Sequence, residues 1–187
     1  MAPLPTHPDL PVKPEDVEPG LSPAEFKLAF RNHPAGVAVI TADDGSGPVG
    51  LTASSVFSVS AEPPLFVFSL SSASSAAPVL GKVDTLVIHL LGADQLAIAQ
   101  RFATSGIDRF ADPGSWSRLE TGEPYLVDAP VRVRSRVVER LEMKVGGSTV
   151  IACHALGGVI APQEGAAPLV YHDRAWHHLG AHSRLPA

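Results

Sequence analysis

The chain has 187 residues, 45% hydrophobic and 18% charged, with a formal net charge of −5. This composition supports a single folded domain with a sizeable core and excludes global disorder. The absence of any lysine–arginine run argues against a nucleic-acid binder, and no apolar run reaches the ~18 residues of a membrane-spanning helix.

Residues 1–20 contain six prolines and mixed charge but no apolar stretch, so they read as a flexible arm rather than a secretory signal. Ser22, Pro23 and Glu25 then form a helix start: serine at the N-cap, proline in the first turn, and glutamate placed to reach back as a capping box. Phe26, Ala29 and Phe30 share one face of that helix. It should end near Asn32, because Pro34 disfavours helical geometry at His33. Residues 36–41 are short and β-branched, a strand; 43–47 form a turn, and 48–52 begin the return strand of a hairpin. Residues 56–60 alternate with period two, which predicts one buried face, with Val56, Ser58 and Ser60 sharing a side of the strand. Glu62-Pro63-Pro64 breaks the chain before a strand over 65–70. A serine-rich stretch, 71–78, leads into a short helix ending near Lys82, with Ser74 or Ser75 as its N-cap.

A strand follows at 86–91, and then a helix at 93–102 with Leu96, Ala99 and Phe102 on one side. Residues 104–126 are irregular, punctuated by glycine, proline and aspartate around Trp116. Two long strands come next: 131–142, where apolar residues alternate with arginine, and 148–160, entered through Gly146-Gly147. A short strand at 169–171 precedes Trp176-His177-His178. About seven strands and three short helices with hairpin connections make a mainly β fold, a mostly antiparallel barrel with peripheral helices, over residues 21–187. No strand–helix–strand alternation of nucleotide-binding type and no internal repeat is present.

The chemistry-bearing residues are small and hydroxylic. Gly50-Leu51-Thr52-Ala53-Ser54-Ser55 is followed by Ser69 and then Ser71-Ser72-Ala73-Ser74-Ser75. Small residues let a flat ring approach backbone amides, and hydroxyls with free amides at a helix start can hold a phosphate without lysine. From residue types alone the stretch is equally a serine–alanine-rich loop. Cys153, the single cysteine, excludes an intrachain disulfide, fits a reducing cytoplasm, and reads as a buried small hydrophobe. His172, His177, His178 and His182 lack the convergent carboxylate or thiolate of a metal centre, so no metal is expected.

Three ordered blocks carry a family resemblance: residues 34–41, then 50–60, then Pro63-Pro64-Leu65. Weaker matches follow at Ala93-Asp94-Gln95, Arg101-Phe102-Ala103, Arg109-Phe110 and 168–172. Together they resemble the flavin reductase family, which includes the small reductase partners of two-component flavin monooxygenases, over residues 26–180. The resemblance implies an antiparallel, Greek-key-like split β-barrel that binds FMN or FAD near a homodimer interface. It also implies hydride from NADH or NADPH and supply of reduced flavin to a partner oxygenase. Thr52, Ala53, Ser54 and Ser55 would line the isoalloxazine edge. Ser69, Ser71, Ser72, Ser74 and Ser75 would approach the ribityl chain and phosphate, and Arg109 and Phe110 would match the family's Arg-Phe pair near the flavin. Trp176 and His177 would pack over the barrel mouth or reach the partner subunit's flavin. No side chain is expected to act as catalytic acid or base. One departure stands out: Gly146-Gly147-Ser148 occupies the place where many members carry Gly-Asp-His. The missing histidine bears on nicotinamide use rather than flavin binding. It leaves a non-catalytic binder of flavin, haem or deazaflavin as the alternative.

Overall fold

The computed structural model describes residues 19–143, 145–161 and 166–186, so the arm expected at 1–20 lies almost wholly outside the described residues. In chain order the strands are β1 (Ala35–Gly36), β2 (Ala38–Ala42), β3 (Val49–Ala53), β4 (Phe57–Ala61), β5 (Pro64–Ser71), β6 (Thr85–Leu90), β7 (Trp116–Arg118), β8 (Pro124–Leu126), β9 (Val131–Glu142), β10 (Ser148–Ile160), β11 (Leu169–His172) and β12 (Ala175–His178). The helices are α1 (Pro23–Arg31), α2 (Ala77–Leu80) and α3 (Leu96–Ala103).

Seven strands form one antiparallel sheet in the order β3-β2-β6-β9-β10-β5-β4. β3 and β4 sit at its opposite ends, yet only Ser54, Ser55 and Val56 connect them. Three residues reach about 10 Å at most. The sheet must therefore curl until its two edges face each other across a split. From β5 the chain returns through α2 to β6, beside β2, as in a Greek key.

The run expected as one strand at 36–41 divides at Val37. β1 pairs with β11, which pairs with β12, in a separate small sheet. Val37 makes the switch: its amide donates to the Leu169 carbonyl at 3.2 Å, and its carbonyl accepts from Leu91 at 3.1 Å. β2 is buried on both faces. Ala38, Ile40 and Ala42 point into the barrel with Phe68, Leu86, Ile88 and Ile151, while Val39 packs outward with Ala99, Phe102 and Leu126. That double burial accounts for a continuous apolar run where a half-exposed strand would alternate.

Three expectations need correction. β4 does not bury one face: its register with β5 shifts between Ser58 and Ser60, and Phe57 and Val59 are 62% and 56% exposed. A bulged edge strand with one neighbour cannot hold the period that a central strand would. α2 is capped by Ala76, with no side-chain cap, rather than by Ser74 or Ser75. The stretch 104–126, expected to be irregular, contains the β7–β8 hairpin.

Two buried groups follow from this packing. Cys153 is fully buried, as expected, and desolvation pushes its thiol up to about 12. His89 on β6 is fully buried, with its Nδ1 3.0 Å from the Val39 carbonyl and its Nε2 accepting from the Leu126 amide at 3.0 Å. Both ring nitrogens are thus used by the neutral tautomer protonated on Nδ1, and burial pushes the pKa down to about 4.

Candidate functional site

A cleft of about 340 Å³ opens at the split. Its walls come from the end of β3 with the Ser54-Ser55 crossing, from the β5–α2 loop, and from the C-terminal end of α3 with the loop that follows. It brings together Thr52, Ala53, Ser54, Ser55, Ser69, Ser71, Ser74, Ser75 and Arg109, residues that lie far apart in sequence. Leu51, Phe102, Ala103 and Ser105 complete the lining.

Ser72 and Phe110 do not join it. The Ser72 amide donates to the Gly147 carbonyl at 2.9 Å, so this residue faces the β9–β10 turn. Phe110 sits behind the cleft, its ring edge-on to Phe102 and to Trp116 with centroids 5.2 Å away in each case. The Trp116 indole donates to the Phe110 carbonyl at 2.9 Å, which holds the loop that carries Arg109.

The hydroxyls divide into structural and available groups. Thr52 donates to the Ala99 carbonyl at 2.7 Å and so ties β3 to α3. The Ser55 hydroxyl accepts from the Ser69 amide at 3.0 Å and donates to the Ser69 carbonyl at 3.3 Å, bridging the split as a missing strand residue would. Ser71, Ser74 and Ser75 behave differently. Their hydroxyls accept from the Ala73 amide (3.3 Å), the Ala76 amide (3.3 Å) and Arg109 Nη1 (3.0 Å). Among the described residues none of the three donates to another protein atom. Each accepts one bond, and their hydrogens remain free to donate.

Arg109 fixes this arrangement. Its Nη1 also donates to the Gly50 carbonyl at 3.0 Å, and its Nε and Nη2 donate to the Thr104 carbonyl at 3.2 and 2.9 Å. One guanidinium therefore joins β3, the C-cap of α3 and the serine loop. Burial lowers its pKa from the ordinary value, but an arginine so placed stays cationic. A fixed positive charge beside three unspent hydroxyl hydrogens suits an acceptor-only anion such as a phosphate.

Gly50 is occupied by the protein itself. A Cβ at this position would sit 2.6 Å from Phe102 Cε1, so glycine is needed for the Phe102 ring to lie on β3. The surface a foreign ring could approach lies further along, where a smaller chamber of about 190 Å³ adjoins the cleft. The two share Thr52, Ser54 and Ala103, and Val37, Tyr171 and Trp176 add an apolar wall. Tyr171 and Trp176 face each other across β11–β12, with ring centroids 4.9 Å apart. Trp176 thus borders the mouth of the site, whereas Val37, Tyr171 and Ser105 were not expected there from sequence. Their placement depends on the β1–β11 pairing and on the loop after α3, which no local pattern announces.

Ser148 lies opposite Ser71 across β5–β10, at one end of the serine loop. His172 pairs through Nε2 with Asn32 Oδ1 at 2.9 Å, and His177 Nε2 lies 3.2 Å from the His172 carbonyl. Among the described residues no group of three or more histidine, cysteine, aspartate or glutamate side chains is placed to hold a metal, and no helix is long and apolar enough to cross a membrane.

Residues 30–180 match the family described as flavin reductase like domain. An NADH:FMN oxidoreductase of Rhodococcus erythropolis is 41% identical over 173 residues, covering 90% of this chain and 88% of that protein. The FMN reductase (NADH) RutF of Variovorax paradoxus (strain S110) is 36% identical over 172 residues, covering 91% and 93%. The crystal structure of a flavin reductase domain protein from Arthrobacter sp. FB24 superposes with a TM-score of 0.78 and 32% identity, covering 84% of this chain and 95% of that one.

Proposed function

The chain belongs to the flavin reductase-like family, and from that premise we propose that it is an NADH-dependent flavin reductase that holds FMN or FAD in the cleft at the split. NADPH is the alternative donor. The observation that carries the reading is the donor set of the serine loop: three hydroxyls with free hydrogens and the Arg109 guanidinium, with no carboxylate among the described residues that line the cleft.

In this reading Ser71, Ser74, Ser75 and Arg109 hold the flavin phosphate, while the β3 end and Ser54 border the ring. The flavin, when bound, supplies the redox chemistry, since it can accept a hydride that no side chain here can take. The chain's own residues bind, orient and exclude water. Val37, Tyr171 and Trp176 give the chamber an apolar wall, and the Thr52–Ala99 and Arg109–Gly50 hydrogen bonds keep both sides of the cleft at fixed separation. No catalytic acid or base is assigned. Ser71, opposite Ser148, closes the end of the site where many family members place a histidine.

The same proposal includes a homodimer in the cytoplasm that passes reduced flavin to a partner oxygenase. Val138 and Leu141, near the end of β9, are 53% and 57% exposed, apolar surface that a second copy would cover. To test the activity, the purified chain is mixed with NADH and FMN and the absorbance of the reduced nicotinamide is followed. Turnover well above that of free FMN is expected. A rate no higher than free FMN, with either nicotinamide and either flavin, would reject the reductase.

A further inference from the structure

A cavity of about 480 Å³ lies on the side of the barrel away from the split. It opens over β9, the middle strand of the seven, between the turn of the β7–β8 hairpin and the last residues of β10. It shares no lining residue with the cleft or the apolar chamber, and it sits at the other end of β9 from Val138 and Leu141.

Much of its wall is apolar: Leu119, Tyr125, Leu156 and Val159. The β10 side carries a bulge, where Leu156 falls between Ala155 and Gly157 with no partner on β9. Gly158 then lets the two strands close, since a Cβ there would stand 2.0 Å from the Arg132 carbonyl. Arg132 and Arg134 of β9 supply the cations of this wall, and each is held by the protein at one edge of its guanidinium. Arg134 Nε donates to Glu123 Oε1 at 2.8 Å, and Glu123 is 5% exposed. Arg132 lies 4.6 Å over the Tyr125 ring, and its Nη1 donates to the Val127 carbonyl at 3.0 Å. The two Nη groups of Arg134, and Nε and Nη2 of Arg132, have no partner among the described residues, and none of them is fully buried. Glu123 balances the charge of Arg134, and Glu120 of the lining is exposed to water. Arg132 is therefore left with no carboxylate partner among the described residues.

Oriented guanidinium donors set in an apolar wall match a carboxylate carried on an apolar body. The two oxygens accept charge-assisted hydrogen bonds, and the body packs on the ring and aliphatic side chains. A bare inorganic anion would leave the apolar wall unused. We infer that this cavity is a second ligand site, separate from the flavin cleft, for a small organic acid with an apolar body. The hairpin turn and the β10 bulge form its two sides, and Arg132 is its charge-recognising residue.

Calorimetric titration of the full chain with naphthalene-2-carboxylate, in excess FMN to occupy the cleft, tests the site. Saturable binding is expected, weaker by about tenfold or more for naphthalene-2-carboxamide, which has a similar shape and no charge. Arg132→Gln should weaken the carboxylate about tenfold, and Glu120→Gln should tighten it about threefold by removing a like charge. A gain at an exposed residue cannot arise from misfolding, so Glu120→Gln and the acid–amide comparison decide the matter even if Arg132→Gln loosens the strand. Backbone amide resonances of 119–121 and 156–159 should shift on binding. No binding to wild type, equal affinity for acid and amide, or affinity indifferent to both substitutions overturns the inference. The titration needs neither a nicotinamide nor turnover, so a failure of the reductase reading leaves it standing.

Discussion

At Gly50 the missing side chain makes room for the chain's own Phe102 ring, which lies against β3 where a Cβ would stand 2.6 Å from its Cε1. Gly50→Ala should therefore destabilise the fold by about 1–3 kcal/mol through overpacking, seen as a lower urea midpoint. An unchanged midpoint would mean that the ring moves freely. The serines divide in a comparable way. Composition marks all of them alike, whereas hydrogen bonding commits Ser55 to the Ser69 backbone and leaves Ser74 and Ser75 with hydrogens to donate. Ser75→Ala should weaken FMN about fivefold, near 1 kcal/mol for one hydrogen bond, as measured by quenching of flavin fluorescence. Full FMN affinity in this variant would remove Ser75 from the phosphate site. The division into committed and available hydroxyls was illegible in sequence because it depends on partners tens of residues away.

At the scale of elements, the parts with strong local signals were legible. β9 and β10 begin and end where alternation and glycine punctuation place them. α1 begins at its capping box, with the Ser22 amide 2.8 Å from the Glu25 carboxylate. Because α1 buries nothing, that cap carries much of its stability. Ser22→Ala should cost about 1 kcal/mol locally, reducing amide-exchange protection over 26–31 while hardly moving the global melting temperature. A full loss of global stability would show that α1 is packed against something else. The division of 36–41 into β1 and β2 was illegible because both pieces are apolar and extended; only their partners differ. β7, β8 and β12 are three or four residues long, too short for periodicity to register.

At the scale of the whole molecule, His89 joins β6 to β2 and β8 at the centre of the sheet. Its folded pKa of about 4 lies below the ordinary 6.5, so below 6.5 the unfolded chain takes up a proton that the native one refuses. The stabilisation it contributes is complete above about 6.5 and is lost as pH falls toward 4, up to about 3 kcal/mol. Urea unfolding between pH 6.5 and 5, above the carboxylate range, should show this decline; flat stability there would mean that the ring is already protonated or exposed. The family block at 50–60 contains the crossing between β3 and β4, which is why the cleft could be foreseen although its apolar chamber could not. The central claim, that this cleft binds a flavin through its phosphate, is tested most directly by titrating FMN and riboflavin into wild type and into Arg109→Ala. Wild type should prefer FMN by about tenfold or more, and the variant should lose most of that preference. Equal affinity of wild type for both flavins would contradict the account.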